Sequence, residues 1–248
     1  MHDLASTIRE NYQHTLKQIA DAARQSGREP EDVSLVVVTK SQPMEVVQAA
    51  IDAGVRVLGE NYPEEGVAKI QSLSNQSGVE WHMIGHVQSR KARLVAENFE
   101  LLHSLDSLKL ALRLDRFAAE QNRILPVLLE FNVGGEETKL GWAASDDTHW
   151  DEFLSDIDSI LDLDNLRVRG LMTMPPLGID PEDSRRFFRR LRLLRDHLAS
   201  LYPDVDWSEL SMGTSADYTV AVEEGATLVR VGTAIVGERR YKLKKEAL

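Results

Sequence analysis

Apolar positions along the chain fall into two alternating rhythms. Leu4, Ile8, Tyr12, Leu16, Ile19 and Ala23 recur at three- and four-residue spacing, which predicts a helix ended by Gly27 and Pro30. Leu35 to Val38 is then a continuous, largely β-branched run without polar alternation, the pattern of a strand covered on both faces. Both rhythms repeat to the end of the chain. Helical spacing over 43–53, 62–73, 88–98, 107–121, 149–161, 181–200 and 215–224 predicts seven more helices. Between them lie strand-like runs at Val55 to Leu58, Trp81 to Ile84, Leu101 to Leu105, Leu125 to Phe131, Val168 to Met172, Glu209 to Met212 and Leu228 to Val231.

Eight strand candidates, each followed by a helix or by the end of the chain, imply parallel pairing through crossovers. In 248 residues this is the arithmetic of a (β/α)8 barrel. An open doubly wound sheet is the rival. It usually carries a Gly-rich phosphate loop after its first strand, where this chain has Thr39-Lys40-Ser41-Gln42-Pro43. The expectation is therefore an α/β protein, a (β/α)8 TIM barrel in a single domain over 1–248. An extra N-terminal helix within 1–30 packs on the barrel, and 239–248 forms a basic tail. No Pro/Gly/Ser linker, low-complexity run or close repeat divides the chain.

Charge and composition narrow the partners. With 29 Lys and Arg against 40 Asp and Glu, the net charge is −11, which disfavours a nucleic-acid partner because a polyanion is repelled. There is no cysteine, so disulfides, thiolate catalysis and Cys-ligated metals are excluded, and a reducing compartment fits. The N-terminal segment lacks a signal-peptide core, and no run approaches the ~20 apolar residues of a membrane span. A soluble cytoplasmic protein with no membrane partner is expected, a monomer rather than an obligate oligomer.

In such a barrel the chemistry lies at the C-terminal strand ends. Those positions are Lys40, Asn61, His86, Ser104, Asn132, Met174, Ser211 with Gly213, and Gly232 with Thr233. Lys40 follows a fully apolar strand, and desolvation there lowers an amine's pKa and frees it for Schiff-base chemistry; a surface lysine opening a loop is the plainer reading. Ser211 to Asp217 and Gly232 to Ala234 follow the last two strands, where barrels commonly bind phosphate on backbone N–H groups. Helix capping by Thr214 or Ser215 uses the same groups. Arg230 interrupts an apolar strand and needs an anionic or acceptor partner. Either a buried ion pair or a pyridine-ring nitrogen answers that need.

Other features read as structural. His82 and His86 straddle a strand end, so their spacing does not make a metal site. The arginine-rich stretch 185–195 carries an inward stripe at Phe188, Leu191, Leu194 and Leu198, leaving its arginines to solvent. Lys139 lies just past the fifth strand, where it either reaches the site or pairs within its loop.

Lysine, phosphate loops and a ring-nitrogen partner together describe pyridoxal 5′-phosphate (PLP). The motifs VVVTKSQP around Lys40, GENYPEE at 59–65, WHMIGHVQSRK at 81–91, GGEETKLG at 134–141, GLMTMPP at 170–176, LSMGTSAD at 210–217 and VRVGTAIVGER at 229–239 resemble the PLP homeostasis protein family. These are single-domain relatives of the alanine racemase barrel, and the motifs arrive in family order over nearly the whole chain. The resemblance implies that Lys40 carries PLP as a Schiff base and that Arg230 faces the ring nitrogen. It also implies that Asn61 lies beside the ring, and that Ser211, Met212, Gly213, Ser215, Gly232 and Thr233 bind the cofactor around its phosphate. Two positions depart from the family pattern. Thr214 replaces a second methionine, and Gln88-Ser89-Arg90-Lys91 lacks the usual asparagine.

Two functions follow from that resemblance. The first is a carrier that buffers PLP or delivers it to apo PLP-dependent enzymes without substrate turnover. The alternative is an amino-acid racemase or related PLP enzyme, which needs a second acid/base facing the lysine. In alanine racemases a tyrosine from a C-terminal domain serves, and only residues 238–248 follow Gly237 here. No tyrosine sits at a strand end; Tyr62 and Tyr218 are merely near one. The carrier is therefore expected. A phosphate-binding isomerase without cofactor is a third, weaker reading.

Overall fold

The computed structural model describes residues 4–176 and 178–238. Its strands are β1 (Ser34–Val38), β2 (Val57–Glu60), β3 (Glu80–Met83), β4 (Leu101–Leu105), β5 (Leu125–Asn132), β6 (Trp142–Ala143), β7 (Leu166–Met172), β8 (Glu209–Thr214) and β9 (Leu228–Val231). The helices are α1 (Leu4–Gln25), α2 (Met44–Asp52), α3 (Pro63–Ser72), α4 (Ala92–Asn98), α5 (Leu108–Glu120), α6 (Leu154–Leu161), α7 (Pro181–Leu201), α8 (Tyr218–Glu223) and α9 (Thr233–Val236). Strand order is β4-β3-β2-β1-β9-β8-β7-β5-β6, and a further β4–β5 pairing closes the ring. Every pairing is parallel, for instance Val36 opposite Arg230 and Gly59 opposite His82. This is the (β/α)8 barrel expected from the alternation, with β6 a two-residue addition on the end of β5.

Burial explains why the strands read as unbroken apolar runs. Alternate residues face the enclosing helices and the barrel lumen, and both sides exclude water. The helix-facing set forms one large core that includes Val37, Leu58, Met83, Leu102, Leu129, Leu171, Met212 and Val229. A separate lumenal cluster consists of Val36, Leu101, Leu128, Met172 and Leu228, with Val57, Ile84 and Met174 against it. Gly170 has φ +148, and a Cβ there would lie 1.8 Å from the Glu209 carbonyl oxygen, so β7 and β8 can approach only across a glycine.

The N-terminal helix packs on α2, α8 and α9. Ile8, Ile19, Ala22 and Ala23 supply its buried stripe. Just after it, the Arg28 guanidinium donates to the carbonyls of Val222 and Ala226 at 3.0 and 2.9 Å, tying this segment to the end of α8. In α7, Asp180 caps the N-terminus by accepting from Glu182 N–H, and Phe188, Leu191, Leu194 and Leu198 are buried as the pattern predicts.

The structure differs from the sequence reading in several details. The second strand begins at Val57 rather than Val55. Gly54 (φ +105) ends α2, and Val55 N–H returns to the Ala50 carbonyl, which consumes Val55 in the helix terminus. Both β6 and α9 are too short to leave a periodic signal. The α7 arginines are not simply solvated. Arg185, Arg189 and Arg192 all reach the buried Glu224 just past α8, at 3.2, 3.2 and 3.3 Å, and Arg185 also meets Glu223 at 2.6 Å. The basic tail 239–248, with Tyr241, lies outside the described residues.

Candidate functional site

At the C-terminal mouth of the barrel lies a cavity of about 480 Å³ lined by strand ends and the loops after them. Lys40, Asn61, Ser215, Arg230, Gly232 and Thr233, six of the sequence-predicted residues, converge on it. Their convergence follows from topology. β9 and β2 flank β1, and β8 flanks β9, so positions far apart in the chain occupy one side of the mouth.

The other three predicted residues take different places. Ser211 is fully buried one layer below, its hydroxyl engaged by Arg230 and by His103. Met212 points the opposite way, into the core beneath the helices, as strand alternation requires. Gly213 has φ +91, and a Cβ there would lie 2.6 Å from the Ala221 Cβ, so this glycine lets α8 close onto β8. The cavity wall on this side starts instead at Thr214, followed by Ser215 and Ala216. Thr214 fixes its own loop, because its N–H and hydroxyl both donate to Asp217 Oδ1, at 2.7 and 3.0 Å. Ser215 Oγ accepts from Gly232 N–H at 3.2 Å, joining the two loops that the sequence assigns to phosphate. Just beyond, α9 begins, and the N–H groups of a first helical turn have no intrahelical acceptor.

Lys40 sits between two pinned peptide groups. The buried Lys69 ammonium donates to Thr39 O at 2.7 Å, to Glu60 Oε1 at 2.7 Å and to Glu65 Oε1 at 2.6 Å. Glu65 Oε1 also accepts the Ser41 N–H at 2.7 Å. Ser41 adopts φ +59, a left-handed conformation that costs a non-glycine residue roughly 1 kcal/mol. Residues on both sides of Lys40 are thus held by one ionic cluster supplied by β2 and α3. Burial drives the Glu60 carboxyl above its ordinary pKa even with Lys69 and Thr39 bonded to it.

Arg230 is 4% exposed and points from β9 into the mouth. Its Nη2 donates to Thr173 O at 2.9 Å and touches Met174 Sδ at 2.9 Å, while Nη1 donates to Ser211 Oγ. Burial lowers its pKa to about 10, opposed by Glu130 and Asp217, so it remains a cation at neutral pH. No carboxylate makes a salt bridge with it among the described residues, so its charge is available to the cavity.

Sequence reasoning missed Glu130. It lines the cavity from β5, and burial raises its carboxyl to about 7, with Asp106 adding to the effect and Arg230 and Lys139 opposing it. The available signal was a lone carboxylate within the apolar Leu128-Leu129-Glu130-Phe131 run. His86, a strand-end residue given no cofactor role by the sequence reading, also lines the cavity, and its Nδ1 donates to Asp106 Oδ2 at 2.8 Å. Lys139 does not line it; the ammonium pairs with Glu136 and donates to Met174 O at 2.6 Å. No cluster of three metal-ligating side chains occurs among the described residues. No described helix is long and apolar enough to cross a membrane.

Comparison with known proteins identifies the family. The family model for the alanine racemase N-terminal domain matches residues 8–240. A pyridoxal phosphate homeostasis protein from Vibrio alginolyticus is 39% identical over 95% of this chain and 99% of its own. The Escherichia coli K12 protein of that name is 39% identical over 93% and 98%. PipY of Synechococcus elongatus, solved with PLP bound, superposes with a TM-score of 0.76 at 35% identity, over 88% of this chain and 100% of its own. Alanine racemase from Streptomyces coelicolor shares the fold alone, with a TM-score of 0.70 at 17% identity over 93% of this chain and 58% of its own. By sequence and by fold the chain belongs to the pyridoxal phosphate homeostasis proteins, a family built on the alanine racemase N-terminal barrel.

Proposed function

We propose that this protein binds PLP at the barrel mouth, holds it as a Schiff base on Lys40, and buffers or delivers it without turning over a substrate. The observation that carries the reading is the meeting of Lys40 and Arg230 in one cavity beside two joined loops of the phosphate-binding kind. The donor set suits the cofactor. A primary amine is offered for its aldehyde, a buried guanidinium for its ring nitrogen, and Ser215, Gly232 and Thr233 for its phosphate. Asn61 adds a buried Oδ1 in the cavity wall that has no partner in the protein, which suits a polar ligand atom. When bound, the cofactor supplies an aldehyde for condensation with amines and a ring that withdraws electrons. The chain's own part is to hold the lysine between fixed peptides and to keep Arg230 cationic and dry. The names of the relatives and the PLP-bound PipY support the same reading.

The test is spectroscopic. Wild-type protein should show the absorbance band of lysine-bound PLP, and Lys40→Ala should lose it. A Lys40→Ala protein that keeps the band would misplace the attachment. For delivery, the loaded protein should reactivate apo forms of PLP-dependent enzymes faster than free PLP does; equal rates would leave only buffering.

One observation favours the racemase alternative. His86 on Asp106, together with Glu130, places further acid/base groups on the cavity wall, where the sequence offered no tyrosine. Inversion of amino acids from a broad panel, followed by chiral chromatography, would establish that activity.

A further inference from the structure

A line of hydrogen bonds runs through the barrel from one mouth to the other. At the N-terminal end a second cavity, of about 220 Å³, is lined by Ser34, Val57, Glu80, His82, Glu209 and Leu228 among others. His82 closes it from inside. Its Nδ1 lies 3.0 Å from His103 Nε2, and His103 Nδ1 lies 2.7 Å from Ser211 Oγ, which accepts from Arg230 Nη1. Arg230 lines the opposite cavity. The line crosses from β3 and β4 to β8 and β9. Neither histidine nor Ser211 contacts the upper cavity, so their buried polar atoms need another explanation.

The direction of the line follows from donor counting. Arg230 can only donate, so Ser211 Oγ accepts from it, and among the described residues His103 Nδ1 is the one partner left to accept the hydroxyl's own proton. Burial, reinforced by His82 and Arg230, pushes the His103 pKa well below the ordinary value, so His103 is neutral with its single proton on Nε2. That proton is donated to His82 Nδ1. His82 in turn keeps its proton on Nε2, which faces Glu80 Oε2 at 3.7 Å. Every group has one role and none conflicts. A second proton on His82 must sit on Nδ1, the atom that was accepting. His103 can then avoid a proton–proton clash only by moving its proton to Nδ1. That takes away the acceptor of the Ser211 hydroxyl and weakens Ser211 as an acceptor for Arg230.

We infer that His103 and Ser211 are positioning residues for Arg230, and that their hydrogen-bond line couples the protonation of His82, at the far mouth, to the guanidinium at the cofactor site. Effects on the cofactor rest on the PLP reading above; the tautomer assignment does not. His82 is 5% exposed and reaches solvent through the lower cavity, so it can take up a proton without opening the upper one. The charged groups facing it are Glu80 on its own strand, Glu100 ahead of β4, Arg169 on β7 and Glu209 on β8, with His103 from β4.

The test begins with the cofactor-free full chain, labelled with 15N and followed by imidazole-resolved NMR against pH. His103 should show a bare Nδ1 and a protonated Nε2 in alkali, and should exchange tautomers at the midpoint where His82 titrates. In His82→Asn, whose amide can still accept from His103 but does not titrate, the Nε2 proton should stay at every pH. A His103 proton on Nδ1 in alkali, or a tautomer indifferent to His82, would overturn the inference; the wild-type titration decides this even if the variant fails to fold. With PLP loaded, the absorbance of the bound cofactor should shift with the His82 midpoint in wild type, and not in His82→Asn or Ser211→Ala. A shift unchanged in both variants would overturn the coupling to Arg230. Failure to load PLP at all would sink the binding reading and leave the NMR result to decide the line.

Discussion

Glu130 makes the fold itself sensitive to pH. In the native protein burial pushes its carboxyl from 4.5 up to about 7, and the nearby Asp106 helps. The folded state therefore holds this proton more tightly than the unfolded chain. Its contribution to stability is complete below pH 4.5 and is lost as pH rises through about 7. At about 1.4 kcal/mol per pH unit, that interval converts to roughly 3 kcal/mol. Glu130→Gln substitutes a neutral amide of the same shape. Urea denaturation of the cofactor-free proteins, at pH values on either side of this interval, isolates the effect. The variant should match wild type in acid and exceed it by roughly 3 kcal/mol above pH 8, on the order expected from linkage. Parallel stability curves for the two proteins across the interval would refute the argument, because the native carboxyl would then titrate like an exposed one.

Other substitutions test the scaffold around the site. Lys69→Met leaves Glu60 and Glu65 without their shared cation and should cost about 3–5 kcal/mol; adding Glu60→Gln should recover part of that in the same denaturation assay. If Lys69 holds the Lys40 segment, hydroxylamine should release PLP at a different rate from Lys69→Met than from wild type. Gly170→Ala drives a Cβ into the Glu209 carbonyl and should lose more than about 4 kcal/mol or abolish soluble expression. Gly27→Ala, equally left-handed at φ +73 but with nothing within 4 Å, should cost only about 1 kcal/mol. Asn61→Leu removes the unpartnered amide and should weaken PLP binding, measured by equilibrium dialysis, with little effect on stability.

Local patterning carried most of the fold because each element declares itself within a few residues. Unbroken apolar runs at Leu35 to Val38 and Leu125 to Phe131 required covering on both sides, and their alternation with helices required crossovers. Two features escaped for the same local reason. Val55 is as apolar as a strand residue, and only the turn at Gly54 assigns it to the end of α2. The arginines of α7 look like a solvated face, and only the approach of α8 shows that Glu224 collects three of them.

At the site, sequence placed Lys40, Asn61, Ser215, Arg230, Gly232 and Thr233 in one cavity, because in a parallel barrel every strand must end on the same side. What it could not supply was depth and direction. Ser211 and Met212 are neighbours in the chain, yet one faces the lumen a layer below the cavity and the other the helix core. Glu130 lies on β5 and Asp106 just past β4, while His82, His103 and Ser211 come from β3, β4 and β8, so their electrostatics exist only once the barrel closes. Residue order fixes which side chains share an end of the barrel. The proton affinities and hydrogen-bond directions of those side chains are set by distances across the lumen, and only the closed sheet defines those.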